Sequence, residues 1–171
     1  MSLMKIGGLV VLAFCLSSCS GYQLGGKKPE PLSHVNKIHI PLAKNSTQIP
    51  RAGALVTNGV VDALVRDGTY RLGVAANADA TLEVEFYQVS FAAIRSANEN
   101  SLRAEELSMT VELRWKVVDG ANPLKVLDSG SSTGRTNLFA DPNQQTARQS
   151  SINDAIERAA VSLVARLADG F

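Results

Sequence analysis

The segment Leu107–Val117 constrains the fold more than any other part of this chain of 171 residues. Apolar and polar residues alternate along it without a break, which is the pattern of a strand with one buried face. The apolar set is Leu107, Met109, Val111, Leu113, Trp115 and Val117, and the polar set is Ser108, Thr110, Glu112, Arg114 and Lys116. The alternation predicts a sheet with one polar face, and it places Leu113 and Trp115 in the core between sheet and helices.

Further strands are predicted on both sides of this segment. They are expected at Val35–Leu42, Tyr70–Val74, Ala80–Phe91 and Leu124–Thr136, with a polar loop at Ala43–Ile49. In the third of these, the apolar residues change parity between Phe86 and Val89. A β-bulge near Tyr87-Gln88 would return Val89 and Phe91 to the apolar face.

Two segments carry apolar residues at three- and four-residue spacing, which predicts amphipathic helices. The first follows Pro50 and ends at Asp67-Gly68, where glycine suits a left-handed cap. The second opens with Asp141-Pro142 and ends at Gly170. The order of elements predicts an α+β fold, a two-layer sandwich with two amphipathic helices on one face of a four- to five-stranded, mostly antiparallel sheet.

The second half of the last strand differs from the other strands. Residues Ser129–Gly134 are polar or glycine on both faces. Such a stretch is not expected to cover a packed core on either side. We expect an edge strand here that meets a partner or solvent.

The N-terminus has the pattern of a bacterial lipoprotein signal. Lys5 precedes an apolar run over residues 6–16, and two serines separate this run from Cys19. The run is about half the roughly 20 residues that a membrane-spanning helix needs. Small residues before a cysteine suit cleavage at that cysteine, whose thiol then receives the lipid. We therefore expect Cys19 to be the lipidation site and to anchor the chain to a membrane.

This interpretation divides the chain into residues 1–18 as signal peptide, 19–33 as lipidated tether and 34–171 as a single α+β domain. Ser20 favours the outer membrane, with the domain on the periplasmic side, because aspartate at that position commonly retains lipoproteins on the inner membrane. A plain secretory signal with an incidental cysteine is the alternative. Cys15 is a rival lipid site, but the bulky Phe14 precedes it.

The composition excludes several classes of function. The chain has 17 basic and 16 acidic residues, whereas nucleic-acid binding requires a basic face. His34 and His39 are the two histidines, too few ligands for a zinc site once Cys19 carries a lipid. No nucleophile elbow or phosphate-binding glycine loop occurs. We therefore expect no enzymatic activity, no cofactor and no metal.

A long connection between the two best-defined strands is the candidate contact site. Residues Ala92–Arg103 carry Arg95 and Arg103 among asparagines and serines. One interpretation is a solvated hairpin loop. The other is a basic, polar tip that contacts an anionic partner.

The chain resembles the LptE family, the lipoproteins of the outer-membrane lipopolysaccharide translocon. The resemblance begins at Cys19-Ser20-Gly21-Tyr22-Gln23-Leu24, which is similar to the Cys-Gly-Tyr-x-Leu opening of that family. It continues through Lys37–Leu42, Asn45-Ser46-Thr47 and Asp67–Arg71, and the alanine-rich last helix agrees in position. The inserted Ser20 departs from the family pattern.

The resemblance implies a non-catalytic role. A family member plugs the lumen of the β-barrel LptD, assists assembly of that barrel and binds lipopolysaccharide. The lipid-contacting positions of the family have no matching motif in this sequence, so Arg95 and Arg103 of the basic tip are the candidate contacts with barrel or lipopolysaccharide on residue type alone. The alternative is an outer-membrane lipoprotein that activates a periplasmic synthase or forms part of an export pore. An enclosed plug should be polar all round, whereas an activator should expose one localised apolar patch.

Overall fold

The computed structural model describes residues 28–96, 104–139 and 144–170, which contain six strands and two α-helices. The strands are β1 Lys37–His39, β2 Lys44–Asn45, β3 Arg71–Leu72, β4 Ala80–Ser96, β5 Ala104–Asp119 and β6 Val126–Phe139. The helices are α1 Ala52–Asp67 and α2 Gln144–Asp169. No helix among these residues is long and apolar enough to cross a membrane.

All six strands belong to one mixed sheet. Its order is β3-β1-β4-β5-β6, and β2 pairs with β4 beyond β1. The long strands β4, β5 and β6 are antiparallel, whereas β1 runs parallel to β3 and β4, and β2 runs parallel to β4. The α+β prediction is confirmed, but the strand count and the largely antiparallel character need correction. The reason is that α1 carries the chain from β1 back to the same end of the sheet, and such a crossover makes β1 and β3 parallel.

The long strands follow their predicted patterns closely. The apolar residues of β5 from Met109 to Val117 are buried, and Trp115 is only 4% exposed. The predicted bulge is confirmed, since the β4–β5 register shifts between Phe86 and Gln88. Phe91 is nevertheless 47% exposed, although its partner Met109 is buried.

Near the N-terminus the strands are shorter than predicted. The strand expected at Val35–Leu42 spans only Lys37–His39, and Leu42 is 73% exposed. Part of the predicted loop at Ala43–Ile49 forms β2 instead. Alternation alone could not exclude Leu42, because its exposure depends on what the rest of the chain packs above it.

Helix α1 closes the sheet on one side as its apolar stripe predicts. Ala52, Val56, Val60 and Leu64 are buried in the same core as the apolar face of the sheet. Gly68 ends the helix with φ of 78°, and its N–H donates to the carbonyl of Leu64. Left-handed backbone of this kind favours glycine.

Helix α2 packs on Ser129–Gly134 of β6, the stretch predicted to be too polar to cover a core. Ser132 is only 4% exposed, and its hydroxyl accepts a 3.2 Å hydrogen bond from Trp115 Nε1. A Cβ on Gly134 would lie 2.0 Å from the carbonyl oxygen of Ala155. The prediction that Ser129–Gly134 covers no core is therefore wrong. Small residues on the inner face of β6 let the backbone of α2 approach the strand directly, so burial here needs no large side chains.

Residues 28–33, predicted as the end of the tether, lie against the folded chain. Leu32 is fully buried. Tyr70 lies beside this segment, and its hydroxyl donates a 2.7 Å hydrogen bond to the carbonyl of Leu167. The ammonium of Lys28 lies 4.8 Å from the centre of the Tyr70 ring. Burial, followed by the charges of Asp67 and Asp128, raises the pKa of Tyr70 to about 12, so this phenol stays a hydrogen-bond donor at physiological pH.

The end of the sheet at which β4 begins and β5 ends is called the proximal end. The distal end is where β4 stops at Ser96 and β5 starts at Ala104. Because β4 has 17 residues, the two ends are about 50 Å apart at roughly 3.3 Å per residue. The first described residues and the last residues of β4 are therefore at opposite ends of the sheet.

Candidate functional site

The face of β4, β5 and β6 that points away from the helices is polar, and we call it the open face. It follows from the alternation of the strands, because each buried residue alternates with one on the other side. Its members are Glu83, Glu85, Gln88 and Ser90 of β4, Glu106, Ser108, Thr110, Glu112, Arg114 and Lys116 of β5, and Ser129, Ser131, Thr133, Arg135, Asn137 and Phe139 of β6. Neither described helix covers this face, since both pack on the apolar side.

The charges in the proximal half of the open face neutralise one another. Three ion pairs lie there, Glu83–Lys116 at 3.0 Å, Glu85–Lys44 at 2.9 Å and Glu112–Arg114 at 3.3 Å. Pairs this exposed contribute little to stability. The charges of these six residues nevertheless sum to zero, so they give the proximal half no net charge.

Two further contacts order the proximal half. The guanidinium of Arg114 lies 3.1 Å from the centre of the Tyr87 ring, in cation–π geometry. A hydrogen bond from the Ser46 hydroxyl, followed by one from the Lys44 ammonium, lowers the pKa of Glu85. The carboxylate of Glu85 therefore stays ionised at neutral pH, and its charge is balanced by the neighbouring Lys44.

The distal half of the open face is different. Arg135 donates a long 3.4 Å hydrogen bond to Thr110 Oγ1 and makes no ion pair with any described residue. Ser108 is 9% exposed, and its hydroxyl has no hydrogen-bond partner in the described part of the chain. Asn137 donates a 3.2 Å hydrogen bond to Glu106. Among the described residues, the distal half thus holds the one buried side-chain polar atom without a partner and a cation without a carboxylate.

The predicted site residues fall largely outside the described residues. Cys19 and Arg103 lie outside them, as do the first residues proposed for the last helix, Asp141-Pro142. Arg95 lies near the end of β4, and its backbone is paired with Glu106, but its side chain is not among those described. The lipidation site and the basic tip therefore stay predictions.

Sequence reasoning missed Arg135 and Ser108. Arg135 is the only ionisable residue between Asp128 and Phe139, and this isolation in a polar run was an available signal. Ser108 carried no signal, because it is one of several alternating polar residues whose burial only the packed structure reveals.

Exposed apolar side chains are distributed over several parts of the surface. At the distal end they are Phe91, Ile94 and Phe139, and at the proximal end they include Leu72, Val74, Leu124 and Val126. On the helices they are Leu55, Val65 and Val161. This distribution is neither the single localised patch expected of an activator nor the surface polar all round expected of a plug, so it does not discriminate between the two functions.

The arrangement suits noncovalent recognition. Within residues 28–96, 104–139 and 144–170, no three histidine, cysteine or carboxylate side chains are grouped for metal binding. His39 lies in β1, with Nδ1 3.3 Å from the carbonyl of Gly73. The open face offers hydroxyls, amides and charged groups for hydrogen bonding to a partner or ligand.

The family model described as LptE, lipopolysaccharide-assembly, matches residues 35–167. None of the curated proteins compared with the chain matches it.

Solved structures share the fold at low sequence identity. A Xanthomonas campestris protein of family DUF330 superposes with a TM-score of 0.55 and 12% identity, over 84% of this chain and 86% of its own. A minor lipoprotein from Acinetobacter baumannii superposes with a TM-score of 0.52 and 8% identity, over 77% of this chain and 91% of its own. At such identities the likeness concerns the fold alone.

Proposed function

Because this chain belongs to the LptE lipopolysaccharide-assembly family, we propose that it is a lipid-anchored outer-membrane lipoprotein that plugs an LptD-type β-barrel. In this proposal it assists assembly of the barrel and binds lipopolysaccharide on its way to the cell surface. It acts from the periplasmic side and performs no catalysis.

The open face is the observation that carries the plug proposal. A barrel lumen is lined by polar side chains, so a protein inside it needs a broad surface that forms hydrogen bonds. The three long strands present hydroxyls, amides and ion pairs across that face. Its edge strand β6 pairs only with β5 among the described strands, which leaves backbone groups available to a partner.

The test of this proposal is depletion of the chain in its own cell. We expect depletion to lower the amount of assembled LptD-type barrel in the outer membrane. The barrel should also co-purify with the tagged chain after detergent extraction. Unchanged barrel abundance would contradict the proposal and favour the alternative, a synthase activator or export-pore subunit.

The basic tip is expected to contribute to ligand or barrel contact. Replacing Arg95 and Arg103 together by glutamine should weaken lipopolysaccharide or barrel binding at least fivefold, because charge-assisted hydrogen bonds are among the stronger polar contacts. The salt dependence should be modest, since two charges are involved. Binding is measured by co-purification and by titration with labelled lipopolysaccharide.

The matched control for the basic tip is the double replacement of Arg66 and Arg158 by glutamine. Both are exposed arginines on the helices, paired with Glu157 and Asp154. The control removes the same charge from the side of the molecule opposite the open face. Equal losses in the two double variants would mean that net charge, and not the tip, determines binding.

Membrane attachment is expected to depend on Cys19. Cys19→Ala should leave an unprocessed or soluble precursor, because stable anchoring requires acyl chains on that thiol. Fractionation of membranes and mass determination of the N-terminus measure this. Cys15→Ala is the control and should be processed normally, whereas normal attachment of the Cys19 variant would refute the lipidation site.

A further inference from the structure

We propose that the turn between β5 and β6 is a second membrane contact of the anchored chain, and that its apolar side chains enter the headgroup region of a phospholipid bilayer. We call residues 120–126 the proximal turn, which includes the first residue of β6. The inference rests on the proposed lipid anchor at Cys19. It concerns the anchored chain by itself and requires no barrel.

The proximal turn is apolar and exposed. Ala121, Pro123, Leu124 and Val126 are all exposed, and the exposed fraction of Leu124 reaches 93%. A single exposed leucine is ordinary on a protein surface. Here the exposed apolar side chains follow one another within six residues of one turn, whereas the connection after β2 begins with Ser46-Thr47-Gln48. The turn therefore presents a small apolar surface at the proximal end of the sheet.

The backbone of the proximal turn is hydrogen-bonded within the protein. Asp119 Oδ1 accepts from the N–H groups of Ala121 and Asn122 at 2.9 and 3.2 Å. Asn122 accepts from the N–H of Leu124 through Oδ1 at 3.2 Å, and from the N–H of Lys125 through its carbonyl at 2.9 Å. These bonds fix the turn in a conformation that holds Leu124 outward.

The other two residues between positions 120 and 125 leave no unpaired N–H either. The N–H of Gly120 donates to the carbonyl of Asp79 at 2.9 Å, and Pro123 has no N–H. Because a bilayer offers few partners to unpaired backbone groups, a segment that enters it has to satisfy them internally. The N–H groups of the proximal turn meet this condition.

The tether enters the domain at the same end of the sheet. Lys28 is the first described residue, and its ammonium donates to the carbonyl of Val35 at 2.7 Å and to Oδ1 of Asn36 at 3.3 Å. The N–H of Asn36 donates to the carboxylate of Asp79 at 2.9 Å. Since the carbonyl of Asp79 accepts from Gly120, this residue connects the segment beside the tether with the proximal turn.

The length of the tether favours a lipid surface over a soluble partner. The chain from Cys19 to Lys28 spans at most about 30 Å, at roughly 3.3–3.6 Å per residue. An acylated cysteine lies at the bilayer surface, so the proximal end of the sheet stays within that distance of lipid. The exposed apolar side chains of the turn are thus held close to the surface that can bury them.

The test places a fluorescent label on the proximal turn of the full lipidated chain, attached to vesicles of phosphatidylethanolamine and phosphatidylglycerol. Ala121→Cys supplies the one free thiol, because no cysteine follows Cys19 in the natural sequence. We expect lipid that carries a spin label near its headgroup to quench this fluorescence. Aqueous acrylamide should quench it at least about threefold less than a label at Phe139→Cys, since Phe139 is 65% exposed at the distal end.

Leu124→Ser in the labelled Ala121→Cys chain tests whether the apolar side chain causes the contact. We expect quenching by spin-labelled lipid to fall by at least about half, because transfer of a leucine side chain out of water is favourable. Val161→Ser is the matched control, since Val161 is 49% exposed on α2, and it should leave this quenching unchanged. Circular dichroism melting verifies that each variant is folded.

The outcomes separate the turn from the anchor. If the lipidated chain does not attach to vesicles, the proposed anchor is refuted. If it attaches and acrylamide quenches both labels equally, the membrane contact of the turn is refuted while the anchor stands. If the turn label is shielded from acrylamide but spin-labelled lipid does not quench it, a second copy of the chain covers the turn, and the membrane contact is overturned.

Discussion

Replacing Trp115 by alanine is expected to lower the free energy of unfolding by about 3–5 kcal/mol, as for other large side chains deleted from a core. Trp115 is 4% exposed on the apolar face of β5. Its ring lies below the guanidinium of Arg166, 6.0 Å from the ring centre. Truncation removes these contacts and leaves the Ser132 hydroxyl without its donor. Urea denaturation followed by circular dichroism measures the loss.

Trp115→Phe separates the two contributions. It keeps an aromatic ring in the core but cannot donate to Ser132. We expect it to be destabilised by about 1–3 kcal/mol, the cost of an unsatisfied buried polar group. A loss below about 1 kcal/mol in the alanine variant would mean that Trp115 does not lie on the buried face.

Replacing Gly134 by alanine is expected to lower the free energy of unfolding by about 3 kcal/mol, near the upper end of the usual range for overpacking. A Cβ there would lie 2.0 Å from the carbonyl oxygen of Ala155 and 2.5 Å from the amide nitrogen of Ala159. Both atoms belong to the backbone of α2, so no side chain can rotate away. The whole helix must shift from β6, and the same denaturation measurement records the effect.

Gly59→Ala is the matched control for Gly134→Ala. Gly59 lies in α1, and a Cβ there would lie 3.3 Å from a methyl carbon of Ile156, which is a side-chain atom. Alanine is also favoured over glycine within a helix by about 0.5–1 kcal/mol. We therefore expect a change within about 1 kcal/mol of the wild type. Similar losses at both positions would contradict the close approach of α2 to β6.

Much of the fold was predictable because it depends on local periodicity. The alternation in Leu107–Val117 identified the buried face of β5, and the parity change near Phe86 identified the bulge in β4. The glycine at position 68 identified the end of α1. Each of these features is a property of neighbouring residues, so the sequence carries it without reference to the rest of the chain.

The short parallel strands were less predictable. Strand β2 has two residues and lies within a predicted polar loop. Such a strand has too few positions for a periodic pattern, and it exists because β4 offers a partner edge. The exposure of Leu42 also depends on long-range contacts, because a local pattern does not specify which residues the rest of the chain will cover.

The candidate site was predictable only in part. The sequence identified Cys19, Arg95 and Arg103 by residue type and setting, and these remain predictions. Arg135 and Ser108 could be identified only from the structure. Among the described residues, Arg135 has no ion-pair partner and the Ser108 hydroxyl has no hydrogen-bond partner. Whether a cation has a carboxylate partner, or a hydroxyl an acceptor, depends on which strand lies beside it.

By itself, the sequence determined the family, the α+β class, the buried face of the long strands and the C-terminal ends of the two helices, because periodicity, glycine geometry and ordered short motifs are encoded locally. Only the tertiary structure decided that the polar run of β6 lies under α2, since a glycine and a small hydroxyl side chain become core residues when a helix backbone approaches them. It also decided which polar groups of the open face stay unsatisfied. Both properties arise from contacts between segments distant in the chain, which no local pattern specifies.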